Sequence, residues 1–429
     1  MGRANIFVIG MDEENLDTLR RVPHAEQYNL HPLLTIEELQ YGEIRVADLL
    51  EKAKAQLDAF DGTIDAVVGY WDFPVSTLVP ILSERYGLRS TSLESILKCE
   101  HKYWSRLVQR EVIDEHPRFA LVDLDGEPEP PAGLNFPMWL KPVKSFSSEL
   151  AFGVADEEEF RAAVGEIREG ISRVGKPFEY ILDRVDLPPE ITAAGGAACL
   201  AEETLTGEQY AVEGYVYDGE VVVYGTLDSI DYENSASFLR HQYPSRLPER
   251  VVRRLEDVSQ RVMRHIGTNW ATFSIEFFYD KETDEVNLLE INPRHSQSHA
   301  ELFESVDGVP NHHCMFSLAL GRDPALPRGK GPYRTAAKWY YRRFEDGVAR
   351  RVPTPEEVAR LESEIPGVKI EIVPEEGQRL SGMPGQDSYS FELAHIFIGA
   401  DSETELCEKY ERCTDALHFE FDASEGAAR

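Results

Sequence analysis

The segment Phe273–Arg294, FSIEFFYDKETDEVNLLEINPR, constrains the fold more than any other part of the chain. Ala271 to Tyr279 is dense in aromatic and β-branched residues and Val286 to Ile291 is apolar, the composition of two strands. Asp280 to Glu285 between them is wholly polar and reads as their connection. A hairpin closing symmetrically about Thr283 sets Glu276 opposite Glu290. Side chains alternate along a strand, so Ser274, Glu276, Glu290 and Asn292 then share one face. Ile275, Phe277, Leu289 and Ile291 turn to the other, against a core. Directly opposed residues bring their Cβ atoms within roughly 4.5–5.5 Å, where like charges repel. A fold keeps such a pair when something cationic sits between the carboxylates. Two carboxylates and an amide oxygen suit a hard divalent ion, Mg²⁺ above all. Pro293 ends the strand, and Arg294 offers a planar fork for phosphate or carboxylate. The alternative is a surface hairpin with solvated acids; the apolar opposite face and the Asn-Pro-Arg continuation speak against it.

Glu276 followed by Glu290-Ile-Asn292-Pro-Arg294 resembles the metal-binding end of the ATP-grasp ligases, among them D-alanine–D-alanine ligase, biotin carboxylase and the carboxylate–amine ligases. The resemblance implies that Glu276, Glu290 and Asn292 hold Mg²⁺ (or Mn²⁺) on the ATP phosphates and that Arg294 faces the reacting phosphoryl group. It extends over residues 96 to 320. Lys102, in CEHKYWSRL, is similar to the lysine that opens the family's central domain and contacts the phosphates; a helix-surface lysine is the alternative. Lys141, in WLKP, resembles the lysine that reaches the nucleotide phosphates and is the second catalytic candidate beside Arg294. Lys144 to Leu150, KSFSSEL, then takes the place of the phosphate-covering loop, with Ser145, Ser147 and Ser148 as donors. This chain departs from the family there, with no glycine before Gly153.

Leu200 to Val216 is similar to the linker-and-strand unit that holds adenine, which implies a hinge at Glu202, Glu203, Thr204 and Leu205. Gln209, with Glu208 beside it, stands where the family usually has a ribose-binding Glu. Glu213 on the next strand reads equally as a solvent-facing residue. Arg240-His241-Gln242 resembles the segment that approaches the terminal phosphate and second substrate in biotin carboxylase, or is a polar loop before Pro244. His295 and His299, spaced i and i+4, either share a helix face fit for a metal or line a substrate pocket, since Mg²⁺ avoids imidazole. The stretch resembles that of the purine-pathway ATP-grasp carboxylase, which also ends in His. His312-His313-Cys314 has no ligand spacing and reads as helix packing.

Around this centre the pattern is α/β. Asn5 to Gly10 and Ile64 to Tyr70 are buried-strand runs. Helical spacing at Asn15, Leu16 and Leu19 follows the first, and Val75 to Tyr86 follows the second. No GxGxxG follows the first strand, so nothing points to dinucleotide binding. Asp72 and Phe73 lie at a strand C-terminus, where open sheets take ligands; an ordinary loop-start Asp is the alternative. Pro128 to Pro137 is turn-rich and Pro324 to Tyr333 reads as a linker. Beyond it come a strand at Thr335 to Tyr341, a helix at Pro355 to Glu364, a strand at Ser388 to Ile398 and a helix at Glu403 to Cys413, with Ala423 to Arg429 as a frayed end. The expected organisation is an ATP-grasp fold of mixed α/β and α+β class. It has an N-terminal parallel α/β lobe (1–95), a two-subdomain nucleotide-binding unit (96–322) and a C-terminal α/β lobe (323–429).

Composition sets outer limits. A 429-residue chain makes two to three domains the expectation. A net charge of −33 argues against nucleic-acid or anionic-membrane partners, which need positive patches. Of 44 basic residues only 12 are lysines, a balance that fits either a salt-adapted host or high-GC coding. Such charge repels itself at low ionic strength, so the melting temperature is expected to climb from dilute buffer to molar KCl; a flat response across that titration contradicts it. Five cysteines without a CxxC indicate neither a disulfide framework nor zinc. No signal-peptide pattern and no apolar run of about 18 residues is present, so a cytoplasmic location is expected. The resemblance implies an ADP-forming ligase that couples a small carboxylate, such as an amino acid, to an amine through an acylphosphate, and makes a homodimer an expectation. A carboxylase activating bicarbonate and a non-catalytic ATP-binding protein are the alternatives.

Overall fold

The computed structural model describes residues 2–145, 150–233, 235, 237–384, 386 and 390–422. The expected loop serines Ser147 and Ser148, the start of the strand expected from Ser388, and the segment 423–429 lie outside the described residues. The chain divides into two compact units, each assembled from separate stretches of sequence. The first contains 1–225, 247–297 and 312–325; the second contains 226–246, 298–311 and 326–429.

The first unit opens with a parallel sheet in which Ala4–Ile9 lies between Tyr28–Leu33 and Ala66–Val68. Ile6, Val8 and Ile9 are fully buried, as a strand covered on both faces requires. Helices Glu13–Arg20 and Val75–Arg85 follow the first and last of these strands as the spacing predicts. A four-stranded antiparallel sheet comes next, in the order Phe119–Val122, Cys199–Glu203, Met138–Pro142, Phe152–Val154. Helix Glu157–Gly170 buries Phe160, Val164 and Ile167 against it. The strands that carry the acidic hairpin follow in the order Glu285–Asn292, Ala271–Asp280, Glu208–Tyr217, Glu220–Asp231.

Helix Glu249–Ile266 backs the hairpin. Val251, Leu255, Val258, Val262 and Ile266 form one apolar stripe, and Gly267 at φ +80° ends the helix in a left-handed turn that a Cβ would oppose.

The second unit is an antiparallel sheet in which Phe238–Tyr243 pairs with Thr335–Arg343, which pairs with Phe391–Ala400, which pairs with Val368–Ile372. Ala337, Trp339, Ile370, Ile396 and Ile398 on one face form a core with Leu361 and Leu406 from helices Pro355–Glu364 and Glu403–Ala416. Thr354 and Glu357 form a reciprocal capping box that starts the first of these helices at Pro355. No helix among the described residues is long and apolar enough to cross a membrane.

Candidate active site

The hairpin closes in the register expected at its business end. Ser274 pairs with Asn292, Ile275 with Ile291 and Glu276 with Glu290. Beyond Glu276 a β-bulge shifts the ladder, and Phe277 faces Leu288 rather than Leu289. Leu288 is therefore the fully buried leucine, and Leu289 is only partly covered. Symmetric counting about Thr283 missed this one-residue slip, because a bulge adds a residue to one strand only. The carbonyls exposed by the bulge are used. Arg106 donates to Leu288 O at 3.0 Å and Leu289 O at 2.5 Å, and its Nε donates to Glu202 Oε1 at 2.5 Å.

Three donors converge on the paired acids. Asn292 Nδ2 donates to Glu276 Oε1 at 3.2 Å, Gln209 Nε2 donates to Glu276 Oε2 at 2.7 Å, and Lys102 Nζ lies 3.4 Å from Glu290 Oε2. Gln209 arrives from the neighbouring strand, in register with Phe278. Burial and the facing Glu290 charge push the Glu276 carboxyl up to about 7. Burial would raise Glu290 too, but Lys102 and Lys141 outweigh it and hold Glu290 below the usual carboxylate range. The environment thus splits one acidic pair into a proton-holding and a charged member. The Asn292 side-chain oxygen has no partner among the described residues. Two close carboxylates, one of them unable to ionise freely, and an unengaged amide oxygen are a donor set that fits a hard divalent cation. Metal binding requires the deprotonated acid, so Mg²⁺ affinity is expected to rise as pH climbs through about 7 and to level off above it. Calorimetric Mg²⁺ titrations from pH 5.5 to 8.5 check this; an affinity independent of pH contradicts it.

Arg294, half-buried, is gripped from a distant part of the sequence. Its Nε and Nη2 donate to Asp72 Oδ1 and Oδ2, both at 2.8 Å. This bidentate fork fixes the guanidinium plane. Burial would raise the Asp72 pKa, but Arg294, Lys144 and Lys102 outweigh it and lower it. Asp72 is thus a partner of the candidate site and not an ordinary loop aspartate. Glu213 is also no surface residue. It is 0 % exposed, accepts from Tyr224 Oη at 2.7 Å and from the Ser296 amide at 3.0 Å, and contributes to the field at Arg294.

The remaining lysines are held by buried acids. Lys141 Nζ is 3.1 Å from Glu202 Oε2, and Lys144 is ion-paired with Glu100. Glu202, shared by Arg106 and Lys141, is held down to about 2 because these cations overcome the burial that would raise it. Glu203 accepts from the Asn135 amide and side chain at 3.2 and 3.1 Å. Its amide donates to Arg118 O and that of Thr204 to Pro137 O. The Leu205 amide donates to no described residue.

The histidines have partners of their own. His295 precedes the helical turn Gln297–His299, so it shares no helix face with His299. It is fully buried, with Nδ1 3.2 Å from Thr272 Oγ1 and Nε2 2.9 Å from His312 Nδ1. His299 belongs to the second unit, where Nε2 lies 3.2 Å from His241 Nδ1. Arg240, in the same unit, is spent on Glu403 at 2.6 Å and lies over the Trp339 ring. His312 to Cys314 are buried in helix His312–Ala319, as their sequence suggested.

Comparison with known proteins bears on the fold. A family profile described as ATP-grasp domain matches residues 134–300. No curated protein matches the sequence. Among solved structures, L-amino acid ligase from Bacillus licheniformis superposes with a TM-score of 0.71 at 15 % identity, covering 99 % of this chain and 100 % of that one. Phosphoribosylglycinamide synthetase from Anaerococcus prevotii gives 0.66 at 14 %, covering 98 % and 100 %. Biotin carboxylase from Campylobacter jejuni gives 0.64 at 15 %, covering 97 % and 92 %. Residues 134–300 thus match the ATP-grasp domain, and the chain as a whole shares the fold of these ligases.

Proposed function

We propose that the protein is an ADP-forming carboxylate–amine ligase acting on a small carboxylate, such as an amino acid, through an acylphosphate. The observation that carries the reading is the register of Glu276 against Glu290, with Asn292 on the same face and Lys102 beside Glu290. Glu276, Glu290 and Asn292 would hold Mg²⁺ or Mn²⁺ between the ATP phosphates and the hairpin. The bound cation supplies charge neutralisation at the transferring phosphoryl group. Lys102 and Lys141 approach the phosphates by exchanging their present carboxylate partners for phosphate oxygens. The unengaged Leu205 amide, next to Glu202 and Glu203, suits the adenine edge, and Gln209 reaches either a ribose hydroxyl or Glu276, where it now sits. Ser147 and Ser148 are assigned to the phosphate loop on resemblance alone.

In the reaction, a substrate carboxylate oxygen attacks the γ-phosphorus and ADP departs. An amine then attacks the acyl carbon, phosphate leaves, and the amine nitrogen gives up a proton. Arg294, held in plane by Asp72, faces the oxygens of the phosphoryl group through both displacements, where fixed charge lowers the barrier most. In this reading the division 1–95, 96–322 and 323–429 would be the functional one, with the first part on the acceptor side. No nucleic acid is needed, and homodimer formation is part of the same reading.

The test is hydroxylamine trapping. Protein, Mg-ATP, hydroxylamine and pooled carboxylates, amino acids included, are incubated at low and high KCl, and hydroxamate and ADP are measured together. Equal yields of the two are expected, and splitting the pool names the carboxylate. ADP release that needs only bicarbonate, or no release from folded ATP-bound protein, overturns the reading.

A further inference from the structure

A cavity of the first unit shares only Arg294 with the candidate active site. It has a volume of about 60 Å³ and lies among Val79, Pro80, Ile96, Met315 and Leu318. At ~10–15 Å³ for each water-sized centre, it has room for about four to six atoms. The chain carries a net charge of −33, yet no described acid lines this cavity and two arginines do. Asp72 already matches Arg294. Arg89, the other, has no ion-pair partner among the described residues. It alone of the lining residues is exposed, so it marks the mouth.

The place of Arg89 is built. Its guanidinium lies over the Trp270 ring at 4.2 Å, and Trp270 also lines the cavity. Trp270 is held at φ +56°, a conformation that costs an L-residue energy. Its amide donates to Asn269 Oδ1 at 2.9 Å, and the Asn269 amide donates to Thr91 Oγ1 at 3.2 Å. Gly321, at φ +72°, leaves the space for the arginine, since a Cβ there would stand 2.7 Å from Arg89 Nε. Two hydroxyls of the lining are buried donors without acceptors. Ser76 is 7 % exposed and its Oγ has no partner among the described residues. Thr91 accepts through Oγ1 but gives its own proton to no described residue. A buried hydroxyl left unpartnered is costly, whereas a guanidinium is weakly hydrated and exchanges water for a carboxylate readily. One unmatched charge, hydroxyl donors and aliphatic walls fit a single negative charge on a short apolar body; a dianion would leave charge uncovered.

We propose that this cavity binds a small organic monocarboxylate of about two or three carbons, the size its volume admits. The carboxylate pairs with Arg89 and accepts from the hydroxyl donors, and the carbon tail lies against Val79, Ile96 and Leu318. The proposal does not rest on the ligase reading.

Propionate, its neutral analogue propionamide, the larger benzoate and inorganic phosphate are titrated into the full-length protein without nucleotide. Ionic strength is held constant with KCl, and binding is read by ligand-observed NMR. Saturable propionate binding is expected, about tenfold tighter than that of the other three. Arg89→Met removes the cation and Ala319→Leu narrows the cavity, and neither residue belongs to the candidate active site. Each should weaken propionate about tenfold or more while the melting temperature shows a folded protein. Ser76→Ala should weaken it less and leave the ligand-free protein no less stable, because the hydroxyl it removes is unpartnered. No saturable propionate binding, equal binding of propionamide, tighter binding of benzoate or phosphate, or propionate affinity unchanged in folded Arg89→Met or Ala319→Leu each overturns the proposal. None of these outcomes depends on ligase turnover.

Discussion

Glu276→Gln is expected to lower ATP turnover by about 10²–10³-fold, the usual effect of deleting one group that stabilises transition-state charge. The same substitution should leave the metal-free protein at least as stable as the parent. In the parent, burial and Glu290 raise the Glu276 pKa to about 7. A carboxyl whose folded pKa exceeds its unfolded value is penalised when ionised. The parent therefore loses stability as pH rises from the ordinary carboxyl range to about 7, and the variant escapes that loss. A glutamine keeps the acceptor for Asn292 Nδ2, and Gln209 needs only to turn its amide to stay bonded. Activity and melting temperature, the latter in EDTA at pH 5 and pH 8, should move in opposite directions. A variant that loses both has a merely structural acid at this position.

Glu202→Ala is expected to cost about 3–5 kcal/mol of unfolding free energy, because it leaves buried cations without their charge. Arg106, 3 % exposed in its side chain, loses its partner while still holding the bulge carbonyls of Leu288 and Leu289. Lys141 loses its partner too. The joint between the four-stranded sheet and the acidic hairpin therefore loosens. Replacing both ends of the buried pair, as in Arg106→Met with Glu202→Leu, should recover much of the stability and little of the turnover. Denaturant unfolding of the three proteins measures this, and a loss below about 1 kcal/mol for Glu202→Ala puts the pair among the inconsequential ones. The pH profile gives a second reading. Glu202 is held down to about 2, so its contribution is complete above the ordinary carboxyl range and fades as pH falls towards 2. The acid limb of the stability curve should be shallower in Glu202→Gln.

The hairpin was legible because alternation, composition and a polar turn all point the same way, and its pairing from Ser274 to Glu276 follows from counting alone. The bulge was not, since nothing in the letters of Val286 to Leu289 says which residue goes unpaired. Two helices of the second unit were legible as spans, Pro355 to Glu364 and Glu403 to Cys413, and the structure begins them at Pro355 and Glu403, capped by Thr354 and Ser402. Asp72 and Arg294 are 222 positions apart, and their pairing is a product of tertiary structure with no local signature. Glu213 misled for the opposite reason. A charged residue on a strand ordinarily faces water, and its burial is understood only once Tyr224 and the Ser296 amide are seen to bond it. The histidines at 295 and 299 show how spacing fails without an element. An i, i+4 pair means nothing where the backbone between is not a helix.

The assembly of the second unit from three separated stretches has a consequence for the ribosome. Its strand Phe238–Tyr243 pairs with Thr335–Arg343, which pairs with Phe391–Ala400. At ~5–20 residues per second of synthesis, the earlier strand waits roughly 5–20 s for its neighbour. Unpaired strand edges invite wrong partners during such an interval. Slow elongation across residues 244–335, or a nascent chain stalled before Phe391, should therefore favour aggregation over loss of a dispensable tail. Yield on expression will depend on translation speed more than the stability of the finished protein suggests.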